Sequence, residues 1–214
     1  MKICSYTMTA DTGFAPNPFH GRCTLAACTP NHMGAKLEKG DWLAGFFTDT
    51  GIPCLVYAMQ IEEVMGYDKY YRDSRFQRKK PHLGGTREDR CGDNIYHQGS
   101  SGKWLQDKGP YHQNDRSFEQ DTRHAIVYIG SAYAYFGSHA YANPLPAEFR
   151  PALKKGQGIK YVRYAEPLFG PYLHWLQAKP TGLDGHPRDA ESNIGCSSCS
   201  PEGNRGRSRT KPCT

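Results

Sequence analysis

The sequence predicts a β-rich α+β domain: a curved mixed sheet or partly open barrel, short helices, and a disordered C-terminal tail. Three observations lead there. Period-two alternation recurs in short runs along the chain, while helical stripes are few and brief. The hydrophobic fraction is 37%, below the roughly 45–50% of compact domains on a count that includes glycine. Against that, 14 Tyr, 9 Phe and 3 Trp supply bulk that fills a core while keeping polar tips available for hydrogen bonds.

Lys2 to Thr9 alternates, with Cys4, Tyr6 and Met8 on one face and Ile3, Ser5 and Thr7 on the other. Pro16 and Pro18 then stiffen an extended loop around Asn17. Cys23 to Cys28 is a short apolar run, strand or helical turn. Gly40-Asp41 marks a turn before a strand from Trp42 to Phe47. Leu55 to Val64 is the strongest strand candidate, with Leu55, Tyr57, Met59 and Ile61 on one face. Tyr67, Tyr70, Tyr71 and Ser74 form one helical stripe, and residues 72–90 read as a basic surface loop. A hairpin follows, 94–98 and 103–106 about a Gly-Ser-Ser-Gly turn. A polar stretch leads to strands at 124–129 and 132–136, a short helix at 146–153, a strand at 158–164 and a helix at 171–178.

After Gly182 the composition turns to Gly, Ser, Pro, Arg and other polar residues. Such a segment cannot bury enough apolar surface to offset its ordering entropy. The expected organisation is one globular domain over 1–182 and a disordered basic tail over 183–214. Part of the net charge of +6 is local to that tail: Arg205, Arg207, Arg209 and Lys211 follow the last acid, Glu202. No apolar run approaches the ~20 residues of a membrane span, and Met1 to Asp11 lacks a signal-peptide design. The 8 Cys are scattered, which fits reduced thiols in a cytosol. Cys196 and Cys199 form one pair, but a closed zinc site needs four ligands and usually a second pair. No metal site is expected. No P-loop or dinucleotide glycine fingerprint is present.

Several blocks occur in a distinctive order: Asp11-Thr-Gly-Phe-Ala-Pro-Asn-Pro-Phe19, Cys23-Thr-Leu-Ala-Ala-Cys28-Thr-Pro30, Gly40-Asp41-Trp42, Phe76-Gln-Arg-Lys79-Lys80-Pro81 and Gly92-Asp93-Asn94-Ile95-Tyr96-His97. Over roughly residues 1–165 the chain resembles the second of the domains named nucleotide modification associated domain. That resemblance implies a setting in phage or bacterial systems that make or handle modified DNA bases, with a nucleotide or nucleic acid as partner. It names no cofactor and no mechanism. The Gly40-Asp41-Trp42 entry to a strand is also similar to PUA-like barrels, the EVE and ASCH groups, which bind RNA or modified bases.

The residues themselves offer a candidate pocket. Phe14, Asn17 and Phe19 on the proline-stiffened loop suit stacking and base-edge pairing, or the two phenyl rings are core anchors and Asn17 caps a turn. Asp41 and Trp42 join them at the strand entry. Asp93, Tyr96 and His97 unite a carboxylate, a phenol and an imidazole. If one strand runs through them, Asp93 and His97 share a face and act as acid or base; the other reading is that Asp93 starts the hairpin. Cys23 is a further nucleophile candidate or a small core residue. Arg78, Lys79 and Lys80, within the basic segment, suit phosphate contacts or a solvated surface. The expectation is one cleft lined by Asn17, Asp93 and His97, with Phe14 or Trp42 as its wall. Catalysis, a reader of modified bases without turnover, and a protein-interaction role are all open at this level.

Overall fold

A computed structural model describes residues 1–189 of the chain. The strands are β1 (Lys2–Thr7), β2 (Cys23–Leu25), β3 (Trp42–Phe47), β4 (Cys54–Gln60), β5 (Glu63–Gly66), β6 (Tyr96–Gln98), β7 (Trp104–Gln106), β8 (Ile126–Gly130), β9 (Tyr133–Tyr135), β10 (Ile159–Arg163) and β11 (Gly182–Leu183). The α-helices are short: α1 (Thr29–His32), α2 (Tyr67–Arg72), α3 (Arg87–Arg90), α4 (Asp115–Thr122) and α5 (Phe169–Gln177).

The largest sheet has the order β10-β1-β3-β4-β9-β11. It is mixed: β1 runs parallel to β3, and β11 parallel to β9, while the other pairs are antiparallel. Residues of β3 and β4 are buried on both faces, apart from Gln60, so these central strands lose the one-sided alternation of a half-solvated sheet. Gly45 lies at a register shift between β3 and β4. A Cβ there would come within 2.5 Å of both Met8 Sδ and Tyr57 Cε1, so only glycine lets the two side chains meet over the strand.

A second, antiparallel sheet has the order β2-β8-β5, and β6 and β7 form a separate hairpin. Strand β8 divides the interior. Tyr128 packs into the core of the large sheet, while Val127 and Ile129 pack into a second core with Phe14, Phe19, Tyr67, Tyr70, Phe76 and Tyr96. The architecture is therefore α+β and β-rich. The described strands do not close into a barrel.

Three expectations change. The run Leu55 to Val64 is two strands in two sheets. The chain crosses between them at Ile61–Glu62, where Ile61 N–H donates to Asp41 O and Glu62 N–H to Ile129 O, each at 2.8 Å. The polar stretch before β8 holds α4, capped by Asn114, whose side chain accepts from Ser117 N–H. Packed structure also continues beyond Gly182. Strand β11 pairs with β9, and Asp189 exchanges hydrogen bonds with the backbone of Asp11, both 2.8 Å. The Cys196 and Cys199 pair lies outside the described residues. No helix among the described residues is long and apolar enough to cross a membrane.

Irregular segments are fastened by buried polar groups. The Lys79 ammonium is 2% exposed and donates to Asn17 O (2.9 Å), Asn17 Oδ1 (2.7 Å) and Arg22 O (2.7 Å). Burial pushes it down to about 8, against the opposing charge of Asp93. Asp93 accepts from Thr24 Oγ1 and Tyr70 OH, both at 2.7 Å. Burial raises its carboxyl, opposed by Lys79 and these hydrogen bonds. Removing one member leaves buried groups unpaired. Lys79→Met should therefore lower the unfolding free energy by roughly 3–5 kcal/mol. Lys80→Met, which loses a cation–π contact with Tyr71, should cost about 1 kcal/mol or less. Urea denaturation of the two variants checks the contrast; equal losses would contradict it.

Candidate functional site

A cleft of about 730 Å³ opens where the exit of β1 meets α1 and α4. Its walls are Thr7 to Ala10, Thr12, Phe14 and Ala15 from the segment after β1; Cys28, Thr29, His32 and Met33 around α1; Tyr111 and His112 from the loop before α4; and Arg116, Glu119, Gln120 and Arg123 along α4.

Behind this wall lies a buried carboxylate, Asp121. Its Oδ1 lies 2.5 Å from His32 Nε2. Its Oδ2 lies 2.6 Å from His112 Nδ1 and accepts from Tyr96 OH, also at 2.6 Å. Burial raises the Asp121 carboxyl, but hydrogen bonds from His112 and His32 outweigh it and hold the group below the usual carboxylate range. An ionised carboxylate only accepts. The hydrogen therefore sits on Nδ1 of His112 and on Nε2 of His32, which fixes opposite tautomers when the rings are neutral. Two imidazoles oriented by one carboxylate is an arrangement suited to holding and moving protons.

Local structure explains the placement. Pro30 near the first turn of α1 needs no backbone donor, and Asn31 Nδ2 ties the helix to Ile126 O at 2.8 Å. His32 then faces α4. His112 has φ of 57°, the left-handed region that side chains other than glycine enter at a cost of about 1–3 kcal/mol. It is held there from three sides: by Asp121, by Gln106 Nε2 donating to its carbonyl at 2.7 Å, and by Phe14, whose ring centroid is 4.8 Å away. Phe14 is aimed by Gly13, which has φ of 77° and no room for a Cβ, since Pro187 Cγ would lie 2.7 Å off.

Of the residues singled out in sequence, Phe14 lines the cleft and Tyr96 reaches it through Asp121. Asn17, Asp93 and His97 do not share it. Asn17 is fully buried, bridging Lys79 and the carbonyl of Cys91. Strand β6 begins only at Tyr96, so no alternation links Asp93 to His97. Asp93 points inward to Thr24 and Tyr70, while His97 stacks on Tyr71 at 4.1 Å on the hairpin surface. Phe19 and Trp42 are core residues. Asp41 fastens the chain, accepting from Lys2 N–H (2.9 Å) and Glu38 N–H (3.0 Å).

The thiols and the basic segment are equally occupied. Cys23 is buried and pushed up to about 12 by burial. Cys28, which does line the cleft, is pushed up to about 11 by burial and donates to Tyr6 OH. In the basic segment Arg72 pairs with Asp68, Arg75 with Asp73 and Glu63, Lys79 is internal, and only Arg78 is an exposed cation of the proposed phosphate set.

The family model for nucleotide modification associated domain 2 matches residues 1–194. The chain belongs to this family. No curated protein and no solved structure matches it. The nucleotide modification associated domain thus encloses the whole cleft, including His32, His112 and Asp121. Sequence reading missed these three. The one available signal was Asn114 as a helix cap ahead of Phe118, which marks α4; the histidines are adjacent only in the fold. Among the described residues, no group of three or more His, Cys, Asp or Glu is placed to hold a metal ion.

Asp121→Asn keeps the shape but supplies an amide donor to groups that already donate. It should lower stability at pH 7 by roughly 1–3 kcal/mol. Because the folded carboxyl is depressed, its contribution is present above the unfolded value of 3.8 and is lost as pH falls through the folded one. The gap between parent and variant should accordingly narrow in acid. Urea unfolding from neutral pH down to about pH 3 tests this; a gap that widens toward low pH would contradict it.

Proposed function

We propose that the cleft between β1, α1 and α4 binds a nucleotide or an exposed nucleic-acid base, and that the chain acts there in a system that modifies bases, in a phage or bacterial setting. The observation that supports this reading is the pairing of an aromatic wall with an oriented proton-handling group: Phe14 packed at a tilt against His112, and His112 and His32 both on Asp121. A base has a flat face to place against an aromatic wall and ring nitrogens and exocyclic groups that exchange protons. A cleft of about 730 Å³ lies within the roughly 300–1,000 Å³ of small-molecule sites. The family's description, nucleotide modification associated domain 2, fits the same ligand class. A cytosolic setting is part of the reading, and the five described cysteines are free thiols.

In this role Phe14 packs against the base, the threonines of the β1 exit offer hydroxyls to its edge, and His32 or His112 takes up or gives a proton. A second reading, a reader that binds without turnover, is favoured by the thiols: all five of the described ones are raised by burial, which leaves no activated sulfur nucleophile among the described residues.

Titration with deoxynucleosides, nucleotides and single-stranded oligonucleotides, followed by mass spectrometry of the recovered bases, separates these readings. Phe14→Leu keeps the wall apolar but removes the ring, and should weaken binding about tenfold, within the roughly 1–3 kcal/mol of a base–aromatic stack. Binding unchanged in Phe14→Leu would remove the cleft from the account.

A further inference from the structure

We infer that the cleft is built for a nucleotide carrying a phosphomonoester, with the phosphate seated against the His32 and His112 pair and the guanidinium groups of Arg116 and Arg123. The inference rests on the reading of this cleft as a nucleotide site and names which part of the ligand gives the affinity.

The first observation is a pair of guanidiniums on the wall of the cleft. Arg116, Gln120 and Arg123 follow one another at helical spacing along the cleft side of α4. Among the described residues, neither Arg116 nor Arg123 has a carboxylate within ion-pairing distance. Several other arginines are already engaged, Arg22 with Glu62 at 2.7 Å, Arg72 with Asp68 at 2.9 Å, and Arg75 with Asp73 at 2.7 Å, while the exposed Arg78, Arg90 and Arg150 do not line this cleft. In the basic segment that the sequence offers for phosphate, Arg72 and Arg75 pair with acids and Lys79 is spent inside the fold, whereas the cleft rim keeps two guanidiniums. Guanidinium forks match phosphate oxygens in pairs.

The second observation is the balance of charge inside the cleft. Around the histidine pair, α4 contributes Arg116, Arg123, Glu119 and Asp121. Tyr96 comes from β6, Cys28 from ahead of α1 and Tyr111 from beside His112. Two arginines offset Glu119 and ionised Asp121, so with neutral imidazoles the site carries no net charge. Every proton taken by His32 or His112 makes it positive. A dianion supplies the opposite charge that stabilises those protons. Asp121 already fixes one nitrogen of each ring, so a proton gained goes to the other nitrogen. Phosphate binding is thus linked to proton uptake by the imidazole pair. A nucleoside has no such linkage.

Calorimetric titration of the full chain at pH 7 tests this, with a deoxynucleoside 5′-monophosphate, the matching nucleoside and inorganic phosphate as separate probes, each in Hepes and in Tris. These buffers differ in ionisation enthalpy, so the difference in heat reports protons exchanged. The monophosphate should bind about tenfold or more tighter than the nucleoside, with net uptake of about one proton. The double variant Arg116→Gln/Arg123→Gln changes only exposed side chains and should lose most of that preference. His112→Gln should lose most of the proton uptake.

Equal affinity for monophosphate and nucleoside, with buffer-independent heats, would overturn the phosphate assignment and leave the cleft as a base site. Inorganic phosphate bound with proton uptake, but no tighter binding of the nucleotide, would overturn the nucleotide assignment and leave an anion site. No binding of any probe would overturn both this inference and the proposed function.

Discussion

One buried carboxylate holds the cleft face of this protein together. Asp121 receives hydrogen bonds from three segments far apart in sequence: α1 through His32, β6 through Tyr96, and the loop before α4 through His112. None of these segments forms enough regular structure to fix its own position; α1 is 4 residues long and β6 is 3. A charge-assisted hydrogen bond is roughly twice as strong as a neutral one, and a charge out of water is tolerated only when such bonds surround it. The same interaction that orders the loops therefore orients both imidazoles toward the cleft. Stability and the proposed function share one group here.

The device recurs elsewhere in the fold. Lys79 ties the Asn17 loop to the segment before β6 by three hydrogen bonds. Asp11 accepts from Tyr135 OH at 2.6 Å and from Arg188 N–H at 3.2 Å, which fastens the chain after β11 to the segment that floors the cleft. Burial pushes the Asp11 carboxyl up to about 6. A chain with 15 Pro and 23 Gly breaks its helices and strands early. Side-chain donors and acceptors then satisfy backbone groups that longer elements would have paired. The aromatic residues serve the same economy of structure: Tyr6, Tyr57, Tyr70, Tyr96, Tyr135 and Tyr172 are buried and each hydroxyl has a partner.

Much of the scaffold was legible in the sequence because it rests on short-range patterns. The alternation of Lys2 to Thr9 becomes β1, which ends at Thr7; the Gly40-Asp41 turn leads into β3; Tyr67, Tyr70 and Tyr71 lie on α2, with Ser74 beyond its end; and the hairpin around Gly99 to Gly102 is present. The division of Leu55 to Val64 was not legible, since the switch between sheets at Ile61 depends on Asp41 and Ile129, which are distant partners. The site was the least legible part. Asn17, Asp93 and Lys79 have the residue types of a binding pocket, yet they are spent on one another. His32, His112 and Asp121 stand in unremarkable polar surroundings and gain meaning only when α1 meets α4. Chemistry-bearing side chains in a sequence show capacity; burial decides whether that capacity faces a ligand or the protein's own backbone.

Asp121 fixes the two imidazoles in opposite tautomers. Long-range proton–nitrogen correlation spectra of the neutral histidine rings read those tautomers. The spectra should show a protonated Nδ1 on His112 and a protonated Nε2 on His32, with both patterns lost in Asp121→Asn. If both rings instead show the mixed tautomers of an exposed histidine such as His82, and do not respond to that substitution, Asp121 does not organise the site.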